Sequence, residues 1–236
     1  MPDVPADGGA AHGYLAVPGG PGRAAPPGRW PGVVVIHEIF GLTDGIRQHA
    51  DRLAAAGYLA FAPDLYLGKP WLRCVRGAIQ QLKAESGPAF TALEAARAWL
   101  ASRPDCSGKT GVIGFCMGGG FALLCAPRDG FAAASVNYGD VPADAETALE
   151  GACPVVGSYG ARDPMGVKPP ERLEKALTDL GVPHDIKVYP DAGHRFMSKP
   201  PPALAPLAHV ARLDYQPDAA EDSWRRVLDF FGEHLC

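Results

Sequence analysis

The stretch Gly111-Val112-Ile113-Gly114-Phe115-Cys116-Met117-Gly118-Gly119-Gly120 changes character at its cysteine. The residues before Cys116 carry no polar side chain and include the β-branched Val112 and Ile113, which is typical of a strand buried on both faces of a sheet. The residues after it, to about Cys125, are small or apolar and predict a helix. A strand that turns directly into a helix requires small residues two positions before and after the turn. Gly114 and Gly118 meet this requirement and place Cys116 at the turn.

Strand-like and helix-like segments alternate along the rest of the chain. This alternation predicts an α/β fold, with a mainly parallel, doubly wound sheet and helices on both faces. We expect strands at residues 33–36, 58–62, 111–115, 132–138, 154–159 and 184–189. We expect helices from a cap at Thr43 or Asp44 to Gly57, over 71–102 with a break at Gly87-Pro88, over 117–125, around 173–180, and after a cap at Asp222 or Ser223. There is no internal repeat or inter-domain linker, so residues 1–236 are expected to form one domain.

The composition limits the classes of protein to consider. The chain has 236 residues, 47% apolar and 20% charged, which suits one globular domain. A net charge of −4 and the lack of a basic stripe argue against a nucleic-acid partner. No apolar run is long enough to span a membrane, and the N-terminus lacks a signal-peptide pattern. The six scattered cysteines are expected to be reduced thiols, which predicts a cytoplasmic protein.

The segment from Gly114 to Gly118 has the spacing of the nucleophile elbow G-x-S-x-G, with cysteine in place of serine. A cysteine at a helix N-terminus is stabilised as the reactive thiolate by the helix dipole. Inert burial is nevertheless the commonest role of cysteine. Taken alone, the motif leaves catalysis and packing both open for Cys116.

A base and an acid follow at corresponding places in the fold. His194 lies in D-A-G-H-R-F after the strand ending at Tyr189, and Asp163 lies in G-A-R-D-P after the strand ending at Tyr159. The carboxyl ends of parallel strands are where open α/β sheets bind ligands. Singly, Asp163 reads as a turn former and His194 as a loop residue. Together, in the order nucleophile, acid, histidine, they predict the Cys116–Asp163–His194 triad of an α/β-hydrolase, with Asp191 as the alternative acid.

The segment Val35-Ile36-His37-Glu38-Ile39-Phe40-Gly41-Leu42 leaves the first buried strand. In an α/β-hydrolase this loop supplies one backbone N–H of the oxyanion hole, and the residue after the nucleophile supplies the other. The candidates are therefore Ile39 and Met117. A zinc site of the H-E-x-x-H type would need a histidine at Gly41, so no metal is predicted.

These motifs together resemble the dienelactone hydrolase family. The H-E-I-F-G-L segment, the G-F-C-M-G-G elbow, the R-D-P turn and the G-H-x-F loop carry the likeness, which extends from about Gly13 to His234. The resemblance implies the Cys-His-Asp triad, no cofactor, and a role for Glu38 in deprotonating the thiol when substrate binds. From the residues alone, Glu38 is a strand-end carboxylate that faces water.

The chain departs from the family pattern at the arginines that hold a substrate carboxylate. One of them stands four residues after the histidine in the family, and here that position is Ser198. Lys199 is adjacent, and Arg195 directly follows the histidine. Arg73 and Arg76 could supply the other cation, or could be solvated helix residues.

The expected function is hydrolysis of a small ester or lactone by a monomer or homodimer. We expect Phe40, Tyr66 and Phe196 to form walls of the substrate pocket. The Pro-rich segment 199–217 is expected to be a surface loop that could cover the active site. Two alternatives stay open. One is a non-catalytic binding or redox-sensing protein with Cys116 as its switch, and the other is a haloperoxidase- or acyltransferase-like enzyme.

Overall fold

A computed structural model of the chain describes residues 12–19, 28–164, 170–199 and 215–236. Its strands are β1 (Gly13–Ala16), β2 (Trp30–Ile36), β3 (Leu59–Pro63), β4 (Cys106–Phe115), β5 (Phe131–Asn137), β6 (Val155–Gly160) and β7 (His184–Tyr189). Its helices are α1 (Asp44–Ala55), α2 (Trp71–Lys83), α3 (Pro88–Ser102), α4 (Met117–Cys125), α5 (Ala145–Ala148), α6 (Pro170–Asp179) and α7 (Pro217–Leu235).

The strands form one sheet in the order β1-β3-β2-β4-β5-β6-β7. β1 pairs antiparallel with β3, and the other neighbours are parallel. The predicted mainly parallel sheet with helices around it is therefore confirmed. The order places β2 and β3 on one side of β4, and β5, β6 and β7 on the other. Loops that follow β3 and β6 thus lie on opposite sides of the residue that follows β4.

The apolar core is built around the central strands. The side chains from Val33 to Ile36 have no exposed surface, as expected for a strand covered on both faces. Every residue of α4 is also buried, because this helix packs against β4, β5 and β2. The elbow between β4 and α4 is therefore held within the buried core.

The structure differs from the sequence-based prediction at several element boundaries. β1 is not expected from the sequence, because its four residues are too few to show a hydrophobic pattern. The caps expected at Asp222 and Ser223 are wrong, since the last helix begins at Pro217 and both residues lie inside it. Asp222 accepts hydrogen bonds from Lys187 and Tyr189, and Ser223 is buried. Most of the Pro-rich segment lies outside the described residues.

All six cysteines are free thiols. None of the helices in the described part of the chain is both long and apolar enough to cross a bilayer.

Candidate active site

Cys116 occupies a strained turn between β4 and α4. Its backbone dihedrals are φ 56° and ψ −121°, a conformation that side chains other than glycine rarely adopt. A Cβ atom added at Gly114 would collide with the carbonyl of Gly118. One added at Gly118 would collide with the carbonyl oxygens of Ile36 and His37. The two glycines thus allow α4 to begin against the end of β2, with Cys116 at the crossing.

His194 and Asp163 meet at the ends of β7 and β6. The Nδ1 atom of His194 lies 2.6 Å from an Oδ2 atom of Asp163, and their side chains are only 2% and 7% exposed. Backbone bonds join the two loops, since the N–H of Arg162 donates to the carbonyl of Ala192 at 2.9 Å. His194 is thus buried although it lies in a loop. The alternative acid, Asp191, instead pairs with Arg162 and its side chain is 75% exposed.

The environment of His194 favours its protonated form. Burial opposes the charge, but the hydrogen bond to Asp163 and the neighbouring sulfur of Cys116 outweigh burial and raise the pKa of His194 to about 9. The Nε2 atom is buried and has no hydrogen bond of good geometry within the described residues. This nitrogen, on the ring edge away from Asp163, is the one left for a substrate or thiol.

Glu38 is buried in an ion pair, which corrects the expectation of a solvated carboxylate. Its side chain is 3% exposed. The Nε atom of Arg195 donates to both carboxylate oxygens at 3.0 Å, and Nη2 donates to Oε2 at 2.6 Å. The guanidinium also lies 5.1 Å above the ring centroid of Phe40. Two of the three guanidinium nitrogens of Arg195 are therefore held by Glu38.

Ser198 stands at the position that the family resemblance reserves for an arginine, and it belongs to a buried polar network. Its Oγ atom lies 3.1 Å from the hydroxyl of Tyr138 and 3.3 Å from Nε2 of His49. The ring of His49 stacks on Phe115, with centroids 4.2 Å apart. The ring of Tyr138 meets His194 edge-on at 5.2 Å. Through Tyr138, this network packs against the ring of His194.

The loop after β2 is held in place by His37 and Tyr66. Leu65 donates its N–H to Nε2 of His37 at 3.2 Å, so Nδ1 carries the ring proton and donates to the carbonyl of Glu38 at 2.7 Å. The Tyr66 hydroxyl donates to the carbonyl of Ile39 at 3.0 Å. Met117 is the first residue of α4, so its N–H has no acceptor within the helix. These contacts fix the loop that carries Ile39 beside the start of α4.

The three expected pocket walls have different environments. Phe40 is 38% exposed, and both Phe40 and Tyr66 line a cavity of about 400 Å³. Phe196 is fully buried between Tyr138 and Tyr189, at ring distances of 5.5 and 5.3 Å. Because the ring of Phe196 packs in the core beneath the loop of His194, its role as a pocket wall stays a prediction.

The profile of the dienelactone hydrolase family matches residues 12–235, almost the whole chain. The chain belongs to the dienelactone hydrolase family. It is accordingly an ester or lactone hydrolase, as its sequence predicts.

Individual relatives agree with this assignment. A protein of Escherichia coli O157:H7 named "Putative carboxymethylenebutenolidase" is 31% identical over 229 residues, which cover 88% of this chain and 78% of that protein. A Yersinia pestis protein of the same name is 29% identical and covers 98% of this chain and 86% of its own. The crystal structure of a dienelactone hydrolase-like promiscuous phosphotriesterase from metagenomic libraries is 26% identical, covers 89% of each chain and superposes with a TM-score of 0.73. The α/β-hydrolase fold is thus confirmed.

Sequence reasoning missed one pairing and two residues of this hydrolase site. The pairing of Arg195 with Glu38 joins residues 157 positions apart, and no local pattern signals it. His49 and Tyr138 reach the site from α1 and the end of β5. The only available signal was a polar residue inside an otherwise apolar stretch, and that signal does not identify a partner.

Proposed function

We propose that this hydrolase cleaves a small ester or lactone with Cys116 as nucleophile, His194 as base and acid, and Asp163 as the residue that orients His194. The observation that carries the proposal is the buried 2.6 Å contact between His194 and Asp163, beside a cysteine on a strained strand-to-helix turn. A buried histidine with one nitrogen fixed by a carboxylate and the other beside a thiol is suited to proton transfer.

The reaction proceeds through an acyl-enzyme. The Cys116 sulfur first passes its proton to His194 and then attacks the carbonyl carbon as a thiolate. The N–H groups of Met117 and Ile39 bind the oxygen that becomes negative in the tetrahedral intermediate. His194 then protonates the leaving alcohol oxygen, the C–O bond breaks, and a thioester remains on Cys116. Water, deprotonated by His194, attacks the thioester and releases the carboxylic acid, while the thiol regains its proton.

Glu38 is proposed to assist deprotonation of the thiol when substrate binds, as the family resemblance implies. Arg195 holds both oxygens of this carboxylate in the present structure. The assisting role therefore requires the carboxylate to leave Arg195 at least in part. Substrate binding next to Phe40, over which Arg195 lies, offers a place where that exchange can begin.

A redox-sensing protein on the same fold is the competing proposal. A sensor needs a reactive thiol but has no use for a histidine held by a buried carboxylate. The His194–Asp163 contact therefore favours hydrolysis over sensing.

The test is the trapping of an acyl group on Cys116. Rapid mixing with p-nitrophenyl acetate should give a burst of p-nitrophenol. Mass spectrometry of the intact protein should show one acetyl group, and peptide mapping should locate it on the peptide that holds Cys116. Cys116→Ala should abolish both signals, while Cys236→Ala, which alters an exposed thiol, should retain them. A burst that survives in Cys116→Ala would refute the assignment of the nucleophile.

A further inference from the structure

A cavity of about 750 Å³ lies between α2, α3 and the loop that follows β3. Small side chains form its helical walls: Cys74 and Ala78 come from α2, and Ala89, Ala92 and Ala95 come from α3. Small residues on two neighbouring helices leave space between them that longer side chains would fill. The volume is in the range of small-molecule binding sites.

The described lining of this cavity is apolar and has no positive charge. No lysine, arginine or histidine is among the described residues that line it. Its one charged residue is Asp64, whose carboxylate accepts the N–H groups of Tyr66 and Gly68 at 2.9 and 2.7 Å. The amide of Gln81 is occupied as well, accepting from Ala89 and donating to Gly77. Asp64 would repel an anionic ligand, and no cation among the described lining residues would pair with it.

Tyr66 borders both this cavity and the residues of the candidate oxyanion hole. Its ring lines the cavity, and its hydroxyl donates to the carbonyl of Ile39 and contacts the sulfur of Met117 at 3.8 Å. Burial, and after it the thiols of Cys74 and Cys116, raise the pKa of Tyr66 to about 12. The same hydroxyl is thus near both the nucleophile and a wall of the cavity.

The strand order decides which part of a substrate faces this cavity. His194 must lie beside the leaving group in order to protonate it, and His194 comes from the side of β6 and β7. The loop after β3 lies on the other side of β4. With the oxyanion toward Met117 and Ile39, the substituent directed away from His194 is the acyl chain.

The arginines considered for binding a substrate carboxylate do not face this cavity. Arg195 is engaged by Glu38 and lies over Phe40. Arg73 and Arg76 are exposed on α2, and neither lines the cavity.

We propose that the cavity between α2 and α3 receives the uncharged, apolar acyl chain of the substrate. The preferred substrate class is then neutral esters of medium-chain carboxylic acids. Esters and lactones that carry a free carboxylate are disfavoured. This inference rests on the proposed function, because it assigns the acyl chain to a thioester formed on Cys116.

Three p-nitrophenyl esters test the inference on the wild-type protein: the acetate, the hexanoate and the monoester of adipic acid. The last two have the same chain length and differ in a terminal carboxylate. We expect kcat/KM for the hexanoate to exceed that for the acetate and that for the adipate monoester by at least about tenfold each. Equal or higher kcat/KM for the adipate monoester would overturn the inference, and so would a preference for acetate over hexanoate.

A pair of variants locates the effect. Ala92→Phe should fill the cavity and lower kcat/KM for the hexanoate by at least about tenfold, with less than about a twofold change for the acetate. Ala98→Phe places the same side chain on an exposed position of α3 and should change neither. If both variants behave alike, the acyl chain binds elsewhere. If no ester acylates Cys116, the proposed function fails and the inference fails with it, whereas acylation with the wrong chain preference refutes the inference alone.

Discussion

Arg195 binds both carboxylate oxygens of Glu38, and the ion pair is almost completely buried, with exposed side-chain fractions of 15% and 3%. The pair joins the histidine loop after β7 to the loop after β2. Burial opposes the charge of the guanidinium, but the adjacent carboxylate raises the pKa of Arg195 above its ordinary value. Each partner therefore depends on the other for a charge-compensated environment.

The first prediction concerns this pair. Glu38→Gln should lower the free energy of unfolding by about 3–5 kcal/mol, because it leaves the buried guanidinium without a counter-charge. The double variant Glu38→Gln/Arg195→Met should recover most of that loss. Urea denaturation of the wild type, both single variants and the double variant measures the coupling. Additive effects of the two substitutions would show that the pair contributes no interaction energy.

The same Glu38→Gln protein tests the assisting role of the carboxylate in acylation. The burst with a p-nitrophenyl ester should slow by about 10²–10⁴-fold if Glu38 helps to remove the thiol proton. The Arg195→Met variant is the control, since it breaks the pair but keeps the carboxylate. A slowing of less than about threefold, under 1 kcal/mol, would confine Glu38 to a structural role.

The next prediction concerns the pH dependence of the triad. With a pKa of about 9, His194 keeps its proton at neutral pH and loses it as the pH rises through that value. Activity on an alkyl ester, whose leaving group requires a proton, should therefore fall above about pH 9. Asp163→Asn removes a contact that raises this pKa, so the alkaline limb should move to lower pH, and kcat should also fall.

Profiles of kcat/KM against pH on ethyl and p-nitrophenyl esters measure this effect. The matched control is Asp191→Asn, because Asp191 is exposed and pairs with Arg162. An unchanged limb in Asp163→Asn, or an equal shift in Asp191→Asn, would mean that another group sets the alkaline pKa.

A further prediction concerns acid stability. Burial lowers the pKa of His49 from 6.5 to about 4, so the folded protein binds fewer protons than the unfolded chain between those values. Its contribution to stability is present above pH 6.5 and is lost as the pH falls toward 4. His49→Gln, which can keep a hydrogen bond to Ser198, should remove this dependence.

Chemical denaturation of both proteins at several pH values provides the measurement. The stability difference between wild type and His49→Gln should change by about 3 kcal/mol in favour of the variant between pH 6.5 and pH 4. His12→Gln, at an exposed histidine, should track the wild type. Parallel curves for the wild type and His49→Gln would show that His49 is not buried in its neutral form.

The final prediction compares two glycines. Gly118→Ala should lower the free energy of unfolding by about 3 kcal/mol or more, since the added Cβ collides with the carbonyls of Ile36 and His37. Gly77→Ala, inside α2 with open space around it, should raise stability by about 0.5–1 kcal/mol. Thermal melts of the two variants measure both effects. A tolerated Gly118→Ala would contradict the close approach of α4 to β2.

The sequence by itself determined the order of the elements and the residue at the turn. The runs 33–36 and 111–115 are continuously apolar because they are covered on both faces, and burial on both faces is visible in a linear pattern. Gly114 is likewise local, since a Cβ there would collide with the carbonyl of Gly118 four residues on. Gly118 is small for a reason outside the local sequence, because a Cβ there would collide with Ile36 and His37 at the end of β2.

Only the tertiary structure decided the environment of each charged side chain. The residues next to Glu38 in the sequence do not indicate whether its carboxylate is solvated or buried. Its partner, Arg195, is 157 residues away. The burial of His194, the core position of Phe196 and the space between α2 and α3 also depend on elements distant in the chain. Hydrophobic periodicity records which face of an element is covered, but not which residue covers it, because that is set by packing among elements brought together only in the fold.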